Sequence, residues 1–287
     1  MSGTASGLKQ NKILVRKASG EEEPFAPLKL ESSLRNAGAG DDIISEIIAD
    51  ISEWIYNGVT TKKIYSRAFQ LLKRIRNVTA IRYKLKQAMF ELGPTGYPFE
   101  HFIGELFRIQ GFDVLVGQTL EGQCVTHEMD VIATKDHHQN LVECKFRQDQ
   151  GKITTVQTPL YVKSRIDDII SRYSKEEMYV GYTFTGWVVT NTRFSSDSVS
   201  YAECIGLRLL GWDYPAGEGL KHLIEKERLY PVTALTRITK REKQILLENG
   251  IVTCRQLFEN PSVLDSIDFN QKKSTSLIKE LNDILSL

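Results

Sequence analysis

The stretch Asn140-Leu-Val-Glu143-Cys-Lys145-Phe-Arg147 sets an acid, an amine and a guanidinium two residues apart. In a β-strand that spacing puts all three on one face. A sheet core tolerates an acid beside an amine only when the two are paired or hold something. Thirteen positions before Glu143 lies Asp130, in a second strand-like run, Glu128-Met-Asp130-Val-Ile-Ala133. Thr134-Lys-Asp-His-His-Gln-Asn140, between the two runs, is rich in turn formers. A hairpin through that turn brings Asp130 beside Glu143 and Lys145. Two carboxylates can hold a hard cation such as Mg2+. The cation acidifies a bound water and clamps a phosphate oxygen, and a neighbouring lysine can orient the water or offset charge in the transition state. The ordinary alternative is an ion pair on an edge strand, which is worth little. The residues alone favour that alternative, so the surrounding elements decide.

Upstream, Phe99-Glu100-His-Phe102-Ile103-Gly-Glu-Leu106-Phe107-Arg-Ile109-Gln-Gly111 has a helical apolar period that stops at glycine. Phe112–Gly117 reads as a strand. The order is therefore a helix carrying an acid, a strand, a strand with Asp130, a strand with Glu143 and Lys145, then a helix. Over roughly residues 96–225 this resembles the restriction-endonuclease-like fold of the PD-(D/E)xK nucleases, in their Mrr-like branch. The resemblance implies that Asp130 and Glu143 are Mg2+ ligands, with the backbone carbonyl of Cys144 as a third. It makes Lys145 the catalytic lysine and Glu100 the helical acid that completes the site. Met129 stands where the literal motif has proline. Beyond the polar loop to Gly151, a helix is expected from Thr154 to about Tyr173, interrupted or offset at Pro159. Gln157, Lys163 and Arg165 are candidates for its site-facing side, Gln157 as a DNA contact, with an ordinary polar face as the alternative. Thr183–Asn191 reads as a buried strand, followed by a helix near Ser198–Gly206 and a strand Leu207–Leu210. Trp187 and Trp212 read as packing residues, since burial is the default for large aromatics.

The first ninety residues carry a different pattern. Residues 1–10 are expected to be a disordered start, and Ile13–Lys17 a strand. Ala18-Ser-Gly20 and three glutamates read as a turn. Pro27 suits the first turn of a helix ending at Ala37-Gly38. Ile43, Ile44, Ile47, Ile48, Ile51, Trp54 and Ile55 form a helical stripe, and further helices are expected near 61–76 and 78–91. Val15-Arg16-Lys17, Gly20, Glu23-Pro-Phe25, Lys29-Leu30, Ser33-Leu34, Ala37-Gly38, Thr60-Thr61 and Ala80-Ile-Arg82-Tyr83 fall in the order of the ATP-cone. The resemblance spans about residues 12–93 and implies ATP or dATP as a regulatory ligand. It implies that Val15, Arg16 and Lys17 contact base and phosphates, that Lys29 reaches phosphate, and that Thr61 lies near the nucleotide. Arg16-Lys17 reverses the family's usual Lys-Arg order. The sequence has no Walker-type glycine loop, which argues for sensing rather than hydrolysis. A helical adaptor with solvated basic residues is the alternative. Leu92-Gly-Pro-Thr-Gly-Tyr-Pro98 reads as a turn-rich link.

The tail from Leu229 reads as short helices at Lys240–Glu248, Cys254–Phe258, Pro261–Ile267 and Gln271–Leu285. Leu247-Glu-Asn-Gly250-Ile251 resembles a helix-hairpin-helix, whose turn N–H groups bind a DNA phosphate. Gly250, Lys240 and Arg241 are the candidate contacts, with Arg237, Lys243, Lys272 and Lys273 adding positive charge. A structural tail or a protein-docking module fits the same pattern.

The chain has 287 residues, a net charge of +1 and 41% hydrophobic residues, so charge for nucleic acid must be local. No apolar run reaches membrane-spanning length. Four separated cysteines with no C-x-x-C pair indicate neither zinc nor disulfides, and the expected compartment is the cytoplasm. The expected fold class is multidomain α/β: a mainly helical ATP-cone with a short strand region (11–93), a restriction-endonuclease-like α/β core (96–228) and a helical tail (230–287). The expected function is a Mg2+-dependent DNA endonuclease tuned by ATP or dATP, with a homodimer as the simplest route to cutting both strands. The alternatives are a nucleotide-sensing DNA-binding regulator that does not cut, and a subunit of a reductase-linked complex.

Overall fold

The computed structural model describes residues 13–17, 20–267 and 271–285; the expected disordered start lies outside them. The protein is a mixed α/β molecule. Its chain divides into two compact units, Met1–Lys84 and Leu85–Leu287. Among the described residues, no helix is long and apolar enough to cross a membrane.

In the first unit, β1 (Leu14–Arg16) is the middle strand of three, antiparallel to β2 (Glu22–Pro24) and parallel to β3 (Val59–Thr60). Helix α1 (Pro27–Asn36) begins at proline, α2 (Asp41–Trp54) on two acids that suit its positive end, and α3 (Thr61–Ile75) on a Thr60 side chain that accepts the Lys63 N–H. Helix α4 (Asn77–Phe90) follows, and the division between the units falls within it. Ile44, Ile47 and Ile51 of the expected stripe are buried against Leu30, Leu34, Ile64, Ala68 and Leu72. Each such side chain contributes roughly 1.5–3 kcal/mol. The glutamate-rich segment read as a turn instead pairs with β1. It and β3 are too short to show a period of two.

In the second unit, α5 (Tyr97–Arg108) leads into the antiparallel run β4 (Asp113–Glu121), β5 (Thr126–Lys135) and β6 (His138–Lys145). The short β7 (Ile153–Thr154) precedes α6 (Gln157–Tyr173), which crosses to β8 (Thr183–Thr190), parallel to β6. Then β9 (Arg193–Phe194) pairs with β7, and α7 (Ser196–Ile205) leads to β10 (Arg208–Leu210), parallel to β8. The main sheet runs β10-β8-β6-β5-β4. Helices α6 and α7 cover one face, where Val162, Ile166, Ile169 and Ala202 pack on Leu141, Val188 and Leu207. On the other face, Phe107 of α5 meets Trp187 edge-on at 6.0 Å between ring centres. Pro159 does not interrupt α6, because it sits in the first turn, where its missing N–H has no helical acceptor. The polar stretch expected as a seven-residue turn is mostly strand. Only Asp136 and His137 turn, with φ of 49° and 59°, as a two-residue hairpin requires.

Helix α8 (Leu220–Glu227) precedes the tail, which comprises α9 (Lys240–Glu248), α10 (Cys254–Glu259), a 3-10 turn at Pro261–Ser266 and α11 (Gln271–Leu285). Thr239 with Glu242, and Thr253 with Gln256, form capping boxes that fix where α9 and α10 begin. Glu280 of α11 is 2% exposed. Its carboxylate accepts the Thr236 N–H at 3.0 Å, the Thr236 hydroxyl at 2.6 Å and the Arg237 N–H at 3.1 Å. Glu280→Ala leaves those donors without this acceptor, and it should lower unfolding stability by about 2–3 kcal/mol in urea titrations. A loss below about 0.5 kcal/mol, the size of an ordinary surface substitution, would show that the clamp does not hold α11.

Candidate active site

The expected hairpin places the central acids together. Val131 pairs with Val142, so the register sets Asp130 opposite Glu143, one step past the end of the ladder. There the strands part, and an Asp130 carboxylate oxygen takes the Cys144 N–H at 2.6 Å. On the other side of β5, the β4 ladder skips the Gly117–Asp130 step, and Gly117 has φ of 64°. A left-handed residue in mid-strand is natural only to glycine. Asp130 thus stands outside the regular ladder on both sides.

Glu143 is 3% exposed. The Lys145 ammonium donates to one of its oxygens, and Arg165 of α6 donates to the other at 2.5 Å. A second Arg165 nitrogen reaches the Glu128 carbonyl, and the guanidinium lies 5.3 Å from the Tyr161 ring centre. Arg165 is thus in direct contact with Glu143, closer than sequence alone established. The signal was the spacing of Gln157, Tyr161 and Arg165 four residues apart on one helix face. Gln157 itself is exposed at the start of α6. Arg147 is not on the strand with Glu143 and Lys145, because β6 ends at Lys145. Its main chain is held instead by the side chain of Asn191.

Glu100, in the first turn of α5, completes an acidic neighbourhood. Burial, then the charges of Asp130, Glu128 and Glu143, raises its carboxyl to about 7. Burial and Glu143 raise Asp130 to about 6, against the Cys144 N–H, Lys145 and Arg165. Burial pushes the Cys144 thiol well up. A thiol held protonated is a poor nucleophile. Among the described residues, no three His, Cys, Asp or Glu side chains are arranged to hold a metal ion. Two carboxylates and a main-chain carbonyl match the chemistry of Mg2+, which keeps several waters and uses one or two carboxylates. Burial and acidic neighbours raise both Glu100 and Asp130, which suits a place that a cation would fill.

In the first unit, Val15, Lys29 and Thr61 line one cavity of about 180 Å3, with Glu23, Phe25, Ser33, Tyr65 and Tyr83 among its other walls. Arg16 and Lys17 do not line it. Lys17 pairs with Glu23 at 3.1 Å, as does Lys29. In the tail, Lys240 and Arg241 are exposed on the first turn of α9. Gly250, with φ of 75°, turns the chain after α9. Its N–H and that of Ile251 return to the Leu247 and Leu246 carbonyls, at 3.0 and 2.9 Å. The next two N–H groups, of Val252 and Thr253, go to the Gln256 side chain. The turn donors that the helix-hairpin-helix resemblance offered to a phosphate are therefore already used to cap helices. Lys243, counted among the tail's surface cations, is 7% exposed and donates a hydrogen bond to the Thr233 carbonyl.

The raised acids carry a pH signature. A carboxyl whose folded-state pKa lies above its unfolded value keeps a proton that the unfolded chain has lost, so it adds stability as pH falls through the folded value. Without added divalent ions, stability should therefore rise from pH 8 to about 5, over the windows set by about 7 for Glu100 and about 6 for Asp130. In denaturation midpoints measured against pH, Glu100→Gln should flatten the upper part of this rise; an unchanged profile would remove Glu100 from the acidic cluster.

Residues 230–285 match a family described as AF1548-like, C-terminal. An uncharacterised protein of Archaeoglobus fulgidus is 32% identical over 184 residues, which are 64% of this chain and 99% of that protein. The crystal structure of a protein of unknown function, AF1548, aligns with a TM-score of 0.54 at 31% identity, covering 67% of this chain and 100% of its own. Neither description states an activity. With nearly the whole length of the relative covered at that identity, the chain belongs to the AF1548-like family.

Proposed function

We propose that this protein is a Mg2+-dependent deoxyribonuclease that hydrolyses phosphodiester bonds and is regulated by ATP or dATP bound in its first unit. The observation that carries the reading is the meeting of Asp130, Glu143 and Lys145 where β5 and β6 part. Asp130, Glu143 and the Cys144 carbonyl would hold the ion, which supplies an acidified water and a clamp on a phosphate oxygen. Lys145, part-exposed beside Glu143, donates toward the water or the charged phosphate. Arg165, bonded to one Glu143 oxygen, orients it. Glu100 stands by as a third acid whose proton is exchangeable near neutral pH.

In the same reading, residues 11–93 are an ATP-cone, 96–228 a restriction-endonuclease-like domain and 230–287 a helical DNA-contacting tail. The tail's contact rests on Lys240 and Arg241, with Gly250 shaping the turn. Lys29, at the rim of the first unit's cavity, reaches phosphate, Val15 packs against the base, and Thr61 lies beside the nucleotide. Arg16 and Lys17 lie off the cavity wall, where the phosphates extend. One observation favours a second reading, a nucleotide-sensing DNA-binding protein that does not cut: both oxygens of Glu143 are taken by cationic side chains.

Plasmid cleavage with Mg2+ separates the two. The wild type should nick or linearise DNA. Glu143→Ala should lose at least about 100-fold, since a metal supplies several kcal/mol of charge stabilisation. A wild type that retards supercoiled, linear, branched and methylated DNA in gels yet cuts none of them is the non-cutting sensor. Nucleotide binding is tested separately, by calorimetry with ATP and dATP: Lys29→Gln should weaken it about tenfold, the loss of one charge-assisted hydrogen bond. Equal affinities would remove Lys29 from the nucleotide site.

A further inference from the structure

Two residues beyond Lys145, the chain turns out of the sheet and is fixed there. Asn191, fully buried at the end of β8, accepts the Arg147 N–H at 2.8 Å and donates to the Arg147 carbonyl at 2.8 Å. This two-point grip sets where the Arg147 side chain begins. Arg147 lines a cavity of about 550 Å3 together with Lys145, Lys152, Gln148, Asp149 and Gly96. Three of its lining side chains are cations and one is an acid, Asp149, which accepts the Gly151 N–H at 2.8 Å. The Arg147 Nε is buried and has no hydrogen-bond partner within the protein. Such a group is costly to leave unpaired, and no acceptor of the protein's own holds this end of the guanidinium. Gly96 is the N-cap residue of α5, a twelve-residue helix whose N-terminus has no side-chain cap. The positive end of that helix therefore borders the same cavity. The Arg147 guanidinium fork and the Lys152 ammonium suit a tetrahedral oxyanion.

We propose that this cavity is a phosphate subsite for the nucleic-acid strand, holding a phosphate other than the one attacked at Lys145. Arg147 and Lys152 are its positioning residues. The inference rests on the nuclease reading and adds to it a second anchoring point for the substrate. The strand is then gripped on the α5 side of Lys145, while Arg165 serves Glu143 from the α6 side.

Fluorescence anisotropy of labelled duplex and single-stranded oligonucleotides, in EDTA to prevent cutting and across a salt series, tests it. Arg147→Gln and Lys152→Gln should each weaken binding about three- to tenfold and lower the slope of log affinity against log salt by about one. Lys226→Gln, an exposed lysine of α8 that does not line the cavity, should leave both unchanged. Unchanged slopes for both cavity variants, with a wild type that binds, would overturn the subsite and leave the nuclease reading standing. A wild type that binds no oligonucleotide would overturn both. Inorganic phosphate is the second probe. If it raises the unfolding temperature of the wild type but not of the double variant while oligonucleotide slopes stay unchanged, the cavity serves free phosphate and the proposal fails. Should Arg147→Gln fail to fold, exposed Lys152 carries the test alone.

Discussion

The two-residue turn at Asp136 and His137 fixes the register of β5 against β6, and the site depends on that register. Both turn residues must adopt positive φ for so short a connection, and aspartate and histidine are among the side chains that tolerate it best. A slip of one residue would send Asp130 to the opposite face of the sheet. With the register set, Asp130 falls opposite Glu143 where the ladder ends. A carboxylate then takes the place of a backbone carbonyl as acceptor for Cys144. Parting strands at the C-terminal edge of β6 give the carboxylates, Lys145 and the loop to Arg147 room to gather.

Charge around Glu143 is finely divided. Burial together with its charge raises Glu100 and Asp130, while Lys145 and Arg165 bond its own two oxygens. Burial makes each of these interactions stronger than it would be in water. A buried carboxylate flanked by two cations is well paired as it stands, and Glu100 and Asp130 hold protons at pH values where they would ordinarily be ionised. Any added positive charge would redistribute all of these partners, so the cluster behaves as one unit rather than as separate residues.

Much of this arrangement was legible in the sequence. Helical periodicity located α2, α5, α9 and α11 because their apolar stripes are long. The alternation around Asp130 and Glu143 located the hairpin. What escaped was short or disguised. The strands β2 and β3 are held by tertiary pairing, not by pattern. Gln139 and Asn140 look like loop residues, yet they lie buried in β6, where Asn140 accepts the Trp187 indole N–H. At the site, Asp130 with Glu143 was visible, whereas the Asn191 grip on Arg147 spans 44 positions and leaves no local trace. In the tail, a glycine turn alone did not reveal that its N–H groups were already engaged, since that depends on Gln256 reaching back from α10.

Gly117 has a consequence beyond Asp130. Strand β4 is the outer member of the sheet and spans nine residues, enough for another extended chain to align along it. A straight outer strand of that length is a template for unwanted self-association. The left-handed residue at its centre interrupts the ladder to β5 for one step, while Val116 and Gln118 keep one register on either side. The glycine that leaves Asp130 outside the ladder thus also interrupts the border of the sheet at its midpoint.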